Sequence, residues 1–358
     1  SDLEWVETEF TSFCKNQQMK KAIMTSVDLL NMGDYDGIRS LINGALKSGE
    51  DKNIGHEYDK DVESRYREDD RNPIPFPWPV FNTLTQGGMG KGDLVLVFGN
   101  PGGGKTWAAI DIGAYAAAMG FNVVHYSLEL AEGYVGKRYD AVFTGIPVDQ
   151  LDKHRPKVEE TVAKIKGKVV IKEYPPKRAS FDTIQTHIQQ LEMQHDFKPD
   201  LIIIDYVDLL SSKKRVSDRK GEIDDIYLST KGLAKELQLP VWSVSQVNRA
   251  GAKDDVIEGD KAAGSYDKMM VTDIAISLSR KKEDKVNGTG RFHIMKNRYG
   301  MDGMTYSVVA DTSTGHFEVT DHHFDDSESP QPVQRLEGTN MNTLDRDQLA
   351  QQFFQLNS

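Results

Sequence analysis

The sequence predicts an α/β protein in which a parallel sheet is flanked by helices. From about residue 77, short runs rich in β-branched residues alternate with stretches of helical periodicity. The runs are almost continuously apolar, which is typical of parallel strands buried on both faces. A glycine-rich loop joins the first run to the first of these helices. The predicted strands are 93–99, 122–129, 168–174, 201–210, 240–246 and 273–280, and helices are predicted at 105–119, 181–195 and 222–238.

The segments on either side of this region differ from it in composition. Residues 1–48 contain two amphipathic helices, predicted at 2–32 and in "DGIRSLINGALKSG", and carry no catalytic pattern. Residues 49–76 are polar, charged and then proline-rich, so we interpret them as a linker. The α/β domain spans 77–320 and ends in strands with hairpin character. Residues 321–358 are predicted to form an acidic, disordered tail with a short helix near its end.

Composition restricts the class of protein and its compartment. The chain of 358 residues is 38% hydrophobic and 28% charged, a balance typical of soluble globular proteins. Its apolar runs are far shorter than the ~20 residues of a membrane helix, so no membrane association is expected. The single cysteine, Cys14, cannot form an intramolecular disulfide, which fits a reducing, cytoplasmic location. The net charge of −11 disfavours broad binding to nucleic acid, but basic residues concentrate at 211–220, 279–285 and 296–298.

The glycine-rich loop fits the G-x-x-x-x-G-K-[ST] pattern of a P-loop between a strand and a helix. Its backbone N–H groups can converge on phosphate oxygens, and the following helix adds its positive N-terminal end. Lys105 can then reach the β- and γ-phosphates of ATP, and Thr106 can hold Mg²⁺. The alternative is a glycine-rich turn that binds nothing, which the flanking strand and helix disfavour. The predicted nucleotide contacts are Gly99, Asn100, Pro101, Gly102, Gly103, Gly104, Lys105, Thr106 and Trp107, although the Trp107 indole is expected to pack in the core.

Two carboxylates end predicted strands in positions that suit ATP hydrolysis. The run "LIIIDY" predicts a buried strand with Asp205 at its carboxyl end, where a carboxylate orients the Mg²⁺ shell. Many strands end in aspartate, so this interpretation depends on the P-loop upstream. Glu129 ends the strand after the P-loop helix, where it can polarise water toward the γ-phosphate. The alternative for Glu129 is an exposed glutamate in a turn.

Three further residues complete a candidate catalytic set. Gln246 ends another predicted strand, where an amide can sense the γ-phosphate; the alternative is an ordinary strand-end glutamine. Lys296 and Arg298 lie on one side of a late strand by the period-two rule. Such a pair suits an arginine finger and its partner, which in a ring would reach the γ-phosphate of the next subunit. On spacing alone, a solvated basic strand edge that prevents aggregation is the favoured interpretation.

With these motifs in order, the chain resembles the ATPase domain of the DnaB-like replicative helicases, most of all those of tailed phages. The matching segments span residues 77–300 and are "FPWPVFNTLTQGGMGKGDLVLVFGNPGGGKT", "YSLEL", "LIIIDYVDLL", "GLAKELQLPVWSVSQVNR" and "KNRYG". The resemblance implies a RecA-like fold and a homo-hexameric ring with ATP sites between subunits. It also implies that Glu129 is the catalytic carboxylate, Gln246 the sensor, and Lys296 and Arg298 the pair that acts on the neighbouring site.

The resemblance further implies that single-stranded DNA passes through the ring, with 5′→3′ translocation. Two loops, 211–222 and 260–268, would contact the DNA, the second through backbone amides that follow the strand without reading its bases. Primase and a helicase loader are the partners implied, and residues 1–48 resemble the segment that docks on the neighbouring subunit. The predicted DNA-binding residues are Lys213, Lys214, Arg215, Lys261, Ala262, Ala263 and Gly264.

The chain departs from bacterial members of this family in three respects. Asp208 stands where they usually carry glutamine, and loop 260–268 lacks their acidic residue. The N-terminal collar domain is largely missing, which we interpret as a truncated chain or a reduced collar. Two other functions stay open: a RecA- or RadA-like recombinase that forms filaments on DNA, and a non-translocating P-loop ATPase that switches the docking of partners. The pairing of "SLE" with "KNR" favours the helicase.

Overall fold

The computed structural model describes residues 2–47, 58–60, 62, 71–212, 219–247, 256–257 and 266–323. The chain divides into two units, Ser1–Asp69 and Asp70–Ser358. The first unit contains helices α1 (Asp2–Asn31) and α2 (Tyr35–Lys47), as the helical periodicity predicted. These helices pack against each other, and the small side chains of Ala22 and Ala45 are buried between turns. None of the helices in the described ranges is long and apolar enough to cross a membrane.

The second unit is the predicted α/β domain. Its helices are α3 (Pro79–Leu84), α4 (Lys105–Ala118), α5 (Glu132–Thr144), α6 (Arg155–Val162), α7 (Phe181–His195), α8 (Arg219–Leu237), α9 (Tyr266–Val271) and α10 (Lys282–Asn287). Its strands are β1 (Leu94–Gly99), β2 (Val123–Ser127), β3 (Val169–Glu173), β4 (Leu201–Asp205), β5 (Val241–Gln246), β6 (Ile274–Ser279), β7 (Thr289–Asn297), β8 (Thr305–Asp311) and β9 (His316–His323).

These strands form one sheet in the order β3-β2-β4-β5-β1-β6-β7-β8-β9. The pairs from β3 to β6 are parallel, and the last three strands continue the sheet in antiparallel fashion. The carboxyl ends of the parallel strands β1 to β6 therefore meet at one edge of the sheet. In an open α/β sheet this edge is the place where ligands bind.

Helices cover both faces of the sheet, which explains why the strands are almost uninterruptedly apolar. One apolar layer packs α4 and α5 on the sheet, and the other packs α7 and α8 on the opposite face. Every residue of β1, β4 and β6 is buried. An aromatic cluster under the first layer brings together Phe76, Trp78, Phe81, Trp242 and Phe292, so Trp242 is a core residue, as the sequence predicted.

The structure differs from the sequence prediction at several boundaries. Residues 71–76 were assigned to the linker, but Ile74 pairs with Met89 and Phe76 is fully buried. The physical reason is that large apolar residues alternate with the prolines and anchor this extended segment in the core. The predicted strand 201–210 ends at Asp205 and continues as a 3₁₀ turn, Val207–Leu209. The predicted tail from residue 324 onward, with its helix, lies outside the described residues.

Candidate nucleotide-binding site

The P-loop connects β1 to α4 at the ligand-binding edge of the sheet. Gly104 has φ +99°, a backbone conformation that side chains with a Cβ rarely adopt. A Cβ on Gly99 would stand 2.8 Å from the carbonyl oxygen of Leu278 in the neighbouring strand, so only glycine fits there. The Trp107 indole packs in the core, as expected, which leaves its backbone amide as the part able to contact a phosphate.

Lys105 is held inside this loop. Its ammonium donates hydrogen bonds to the carbonyl oxygens of Gly99 (2.8 Å) and Asn100 (2.9 Å). Burial lowers the pKa of Lys105 to about 8, and the negative charges of Asp205, Glu129 and Asp208 oppose this shift. The side chain therefore sits close to both predicted catalytic carboxylates, where an incoming phosphate would find a partly desolvated cation.

Asp205 ends β4 beside the first turn of α4. The carboxylate is fully buried, and neither of its oxygens has a hydrogen-bond partner of standard geometry among the described residues. Burial raises the pKa of Asp205 to about 6, although the nearby Thr106 hydroxyl lowers it. An unpaired buried carboxylate beside a hydroxyl offers the oxygen ligands that Mg²⁺ prefers. Thr106 and Asp205 therefore fit the metal role predicted from sequence.

Glu129 lies in a turn two residues beyond the end of β2. Strand β2 pairs with β4 so that Ser127 lies opposite Asp205, which brings the turn next to the buried carboxylate. The Ser127 hydroxyl closes the turn: it donates to the Leu130 carbonyl oxygen (2.6 Å) and accepts from the Leu130 N–H (3.1 Å). Glu129 itself is exposed, and its charge acts on both Lys105 and Asp205. The sequence motif therefore includes a structural serine that pattern reasoning had not singled out.

Gln246 is the last residue of β5 and lies directly opposite Gly99 in the parallel pairing of β5 with β1. Its side chain is exposed at the same edge as Glu129 and the P-loop. The structure thus brings Gln246, Glu129, Asp205, Lys105 and the P-loop together at the ends of four strands.

Lys296 and Arg298 lie at the other end of the sheet. The Arg298 guanidinium pairs with Asp273 (2.9 Å), and the same carboxylate accepts from the N–H of Leu94, the first residue of β1 (2.8 Å). Lys296 donates to the carbonyl oxygens of Met269 and Met270 (2.7 and 3.0 Å). The P-loop follows the last residue of β1, about 17 Å further along the strand. The pair therefore does not reach the P-loop of its own chain.

Asp208 follows the metal-site strand and anchors a small polar network. The Lys268 ammonium pairs with the Asp208 carboxylate and donates to the Ser245 hydroxyl (2.9 Å). The Tyr227 hydroxyl also donates to Asp208 (2.8 Å), and the ammonium lies 4.9 Å from the centre of the Tyr227 ring. The residue that departs from the bacterial pattern thus connects four separate elements.

Sequence reasoning also missed Arg138, on α5. Its guanidinium lies 4.8 Å from the centre of the Trp107 ring and 5.0 Å from that of Tyr134. Its charge lowers the pKa of Asp205, so it lies within electrostatic range of the metal site. No local pattern marks Arg138, because its position depends on how α5 packs against α4. The predicted DNA-binding residues, Lys213, Lys214, Arg215, Lys261, Ala262, Ala263 and Gly264, lie outside the described residues.

A P-loop on a parallel sheet, with an acidic residue ending a nearby strand, defines the class of P-loop ATPases. The family model for the DnaB-like helicase C-terminal domain matches residues 78–318. The chain belongs to this family of replicative DNA helicases, whose members are ATP-hydrolysing enzymes. The resemblance stated from the motifs is thereby confirmed.

Relatives and solved structures agree with this assignment. A DnaB-like replicative helicase of Enterobacteria phage T4 is 24% identical over 84% of this chain and 68% of its own length. The replicative DNA helicase DnaB of Leifsonia xyli is 28% identical over 52% of this chain and 41% of its own length.

Two solved structures share the fold. One is an isolated ATPase domain, which has a TM-score of 0.61 and 22% identity, over 72% of this chain and 94% of that chain. The other is a DnaB-like replicative helicase, described with its interactions with primase, which has a TM-score of 0.63 and 18% identity over 87% of this chain and 78% of that chain. The predicted RecA-like fold is confirmed.

Proposed function

We propose that this chain forms one subunit of a homo-hexameric ring that uses ATP to move along single-stranded DNA, 5′→3′, and to unwind the duplex at a replication fork. The observation that carries this proposal is the placement of the two halves of the catalytic set. The P-loop, Glu129, Asp205 and Gln246 lie at one end of the sheet, and Arg298 is bound at the other. One chain alone therefore holds an incomplete site, which a neighbour in a ring would complete.

In this proposal the phosphates of ATP lie on the P-loop with Lys105 against the β- and γ-phosphates. Thr106 and Asp205 would hold Mg²⁺, which neutralises charge on the phosphates. Glu129 accepts a proton from the attacking water, the water oxygen bonds to the γ-phosphorus, and the bond to the β–γ bridging oxygen breaks to leave ADP and phosphate. Lys296 and Arg298 of the neighbouring subunit stabilise the γ-phosphate charge, a contribution worth about 10³–10⁵ in rate in related systems.

The contacts of Asp273 support the idea that Arg298 can leave its own chain. Asp273 is buried and binds two cations, Arg298 and Lys231. It also accepts the N–H of Leu94. If Arg298 turns toward a neighbouring nucleotide, Lys231 remains to balance the buried carboxylate. The cost of an unpaired buried charge is therefore avoided.

The first unit supports assembly. The side chains of Ile23, Val27 and Leu30 on α1 are each about half exposed, which leaves apolar surface for docking on another subunit. We further propose that loops 211–222 and 260–268 contact DNA in the ring, and that primase and a loader are partners. The solved relative described with primase supports the first partner. A phage relative supports a location in the host cytoplasm.

Subunit mixing tests the shared site. Lys105→Ala removes the phosphate contact of a subunit, and Arg298→Ala removes the cation that it lends. Each variant alone should lose ATPase activity, but co-expressed together they should regain it, because about one interface in four pairs an intact P-loop with an intact finger. The control pairs Arg298→Ala with the double variant Lys105→Ala/Arg298→Ala, which can build no complete site. A co-assembled mixture as inactive as its control would refute the trans arrangement.

Translocation needs a separate assay. A forked substrate should be unwound when its 5′ tail is present and not when that tail is removed, and single-stranded DNA should stimulate ATPase several-fold. Glu129→Gln should bind ATP without hydrolysing it. ATPase indifferent to DNA would favour the non-translocating switch, and open filaments in electron micrographs would favour the recombinase.

A further inference from the structure

A second cation of the same chain lies at the P-loop. Strand β6 is the neighbour of β1 on the side opposite β5, and Leu278 lies opposite Gly99. The connection that follows β6 therefore starts at the ligand-binding edge and contains α10. Lys285, in the middle of α10, places its ammonium 3.5 Å from the point where a Cβ on Gly102 would stand. Gly102 belongs to the P-loop.

Buried contacts fix the backbone that carries Lys285. The neighbouring Asp284 accepts hydrogen bonds from the Lys281 N–H (2.7 Å) and the Thr289 hydroxyl (3.1 Å), and pairs with Arg291 (3.0 Å). Asp284 and Arg291 are both buried. Arg280, at the start of the connection, donates to the carbonyl oxygens of Thr289 and Ala310 (2.8 and 3.2 Å). Lys285 therefore projects from a fixed point and not from a free loop.

The Lys285 side chain itself is exposed, and it makes no hydrogen bond or ion pair with any residue in the described ranges. Its charge acts on Lys105 and lowers the pKa of that residue, after the larger effect of burial. Two ammonium groups thus face one loop, and each disfavours the other in the absence of an anion. A polyphosphate between them would turn this repulsion into two attractions.

We propose that Lys285 binds the β-phosphate of the nucleotide from the same subunit as the P-loop. This inference rests on the proposed nucleotide site and adds to it a residue that the P-loop pattern does not contain. Loop backbone N–H groups face the α- and β-phosphates, and Lys105 reaches the β- and γ-phosphates. An ammonium over Gly102 is therefore nearest to the part of the ligand that ADP and ATP share. A loose lysine is well suited to this role as a point charge.

The test compares Lys285→Met with Lys282→Met, which removes an exposed lysine from the same helix. Binding of fluorescent ADP and ATP analogues is measured on the full chain. Lys285→Met should weaken both about tenfold, equal to about 1.4 kcal/mol, and Lys285→Arg should bind within about twofold of the parent. Lys282→Met should bind like the parent.

The outcomes separate the two proposals. Parent protein that fails to bind ADP would overturn the nucleotide site itself. Parent protein that binds, with Lys285→Met equal to Lys282→Met, would overturn only the role of Lys285. A loss confined to ATP would also overturn it, because the contact would then lie on the γ-phosphate. Failure of Lys285→Arg to bind would show that the position matters for packing and not for charge, which again contradicts the proposal.

Discussion

Replacing Asp205 by asparagine should stabilise the protein in the absence of metal while abolishing ATP hydrolysis. The carboxylate is buried with no hydrogen-bond partner of standard geometry among the residues that the structure describes, and burial raises its pKa from 3.8 to about 6. A difference of about 2 between the folded and unfolded pKa values corresponds to about 3 kcal/mol, since each unit is worth about 1.36 kcal/mol. At neutral pH the charged carboxylate costs the folded state about this amount, and the neutral amide does not.

The sign of the pH dependence is distinctive. Because the folded pKa is raised, the folded state binds the proton more tightly, and stability conferred by this group is lost as pH rises from about 4 to about 6. Urea unfolding with chelator present should therefore show Asp205→Asn more stable than the parent at pH 7.5 and equal to it below about pH 4. Fluorescence of the buried Trp78 and Trp242 reports on the same unit. Excess Mg²⁺ with nucleotide should stabilise the parent alone.

The matched control is Asp302→Asn, which removes an exposed carboxylate and should change stability by less than about 0.5 kcal/mol. If Asp205→Asn proves less stable than the parent at pH 7.5, or if its advantage does not change with pH, then the carboxylate is paired in solution and the reasoning about the metal site fails.

Three further predictions follow from the same site. Because Asp205 titrates near pH 6, the Mg²⁺ concentration needed for half-maximal ATPase should rise about tenfold for each unit of pH below 6 and stay constant above it; a flat profile would contradict this. Ser127→Ala removes both hydrogen bonds that shape the Glu129 turn, so kcat should fall at least about tenfold with nucleotide affinity unchanged; an unchanged kcat would show that the turn forms without them. Gly99→Ala puts a Cβ 2.8 Å from a neighbouring carbonyl oxygen, and urea unfolding should show a loss of about 1–3 kcal/mol; parent-like stability would mean that β6 yields.

The sequence predicts the parts of the site that depend on strand ends. Lys105, Asp205, Glu129 and Gln246 each follow or end an apolar run, and parallel strands necessarily bring their carboxyl ends to one edge. Their roles remain predictions, but their juxtaposition needed only the alternating pattern and the P-loop motif.

Other features were beyond pattern reasoning because they depend on tertiary packing. The order of the strands places β6 beside β1 and so brings Lys285 to the P-loop, although 180 residues separate it from Lys105 in the chain. Arg138 reaches the site only because α5 lies against α4. The helices α5 and α6 themselves were missed, since their apolar positions are few and their surfaces largely polar.

The network around Asp208 has a mechanical consequence. Lys268 lies in α9, the helix that precedes β6, Asp208 lies just after β4, and Ser245 adjoins Gln246 at the γ-phosphate edge. None of these elements can slide past another by more than a bond length without separating a largely buried ion pair. We expect them to shift as one rigid block, so that a small displacement of the Gln246 strand would be delivered undiminished to both chain segments that leave this block.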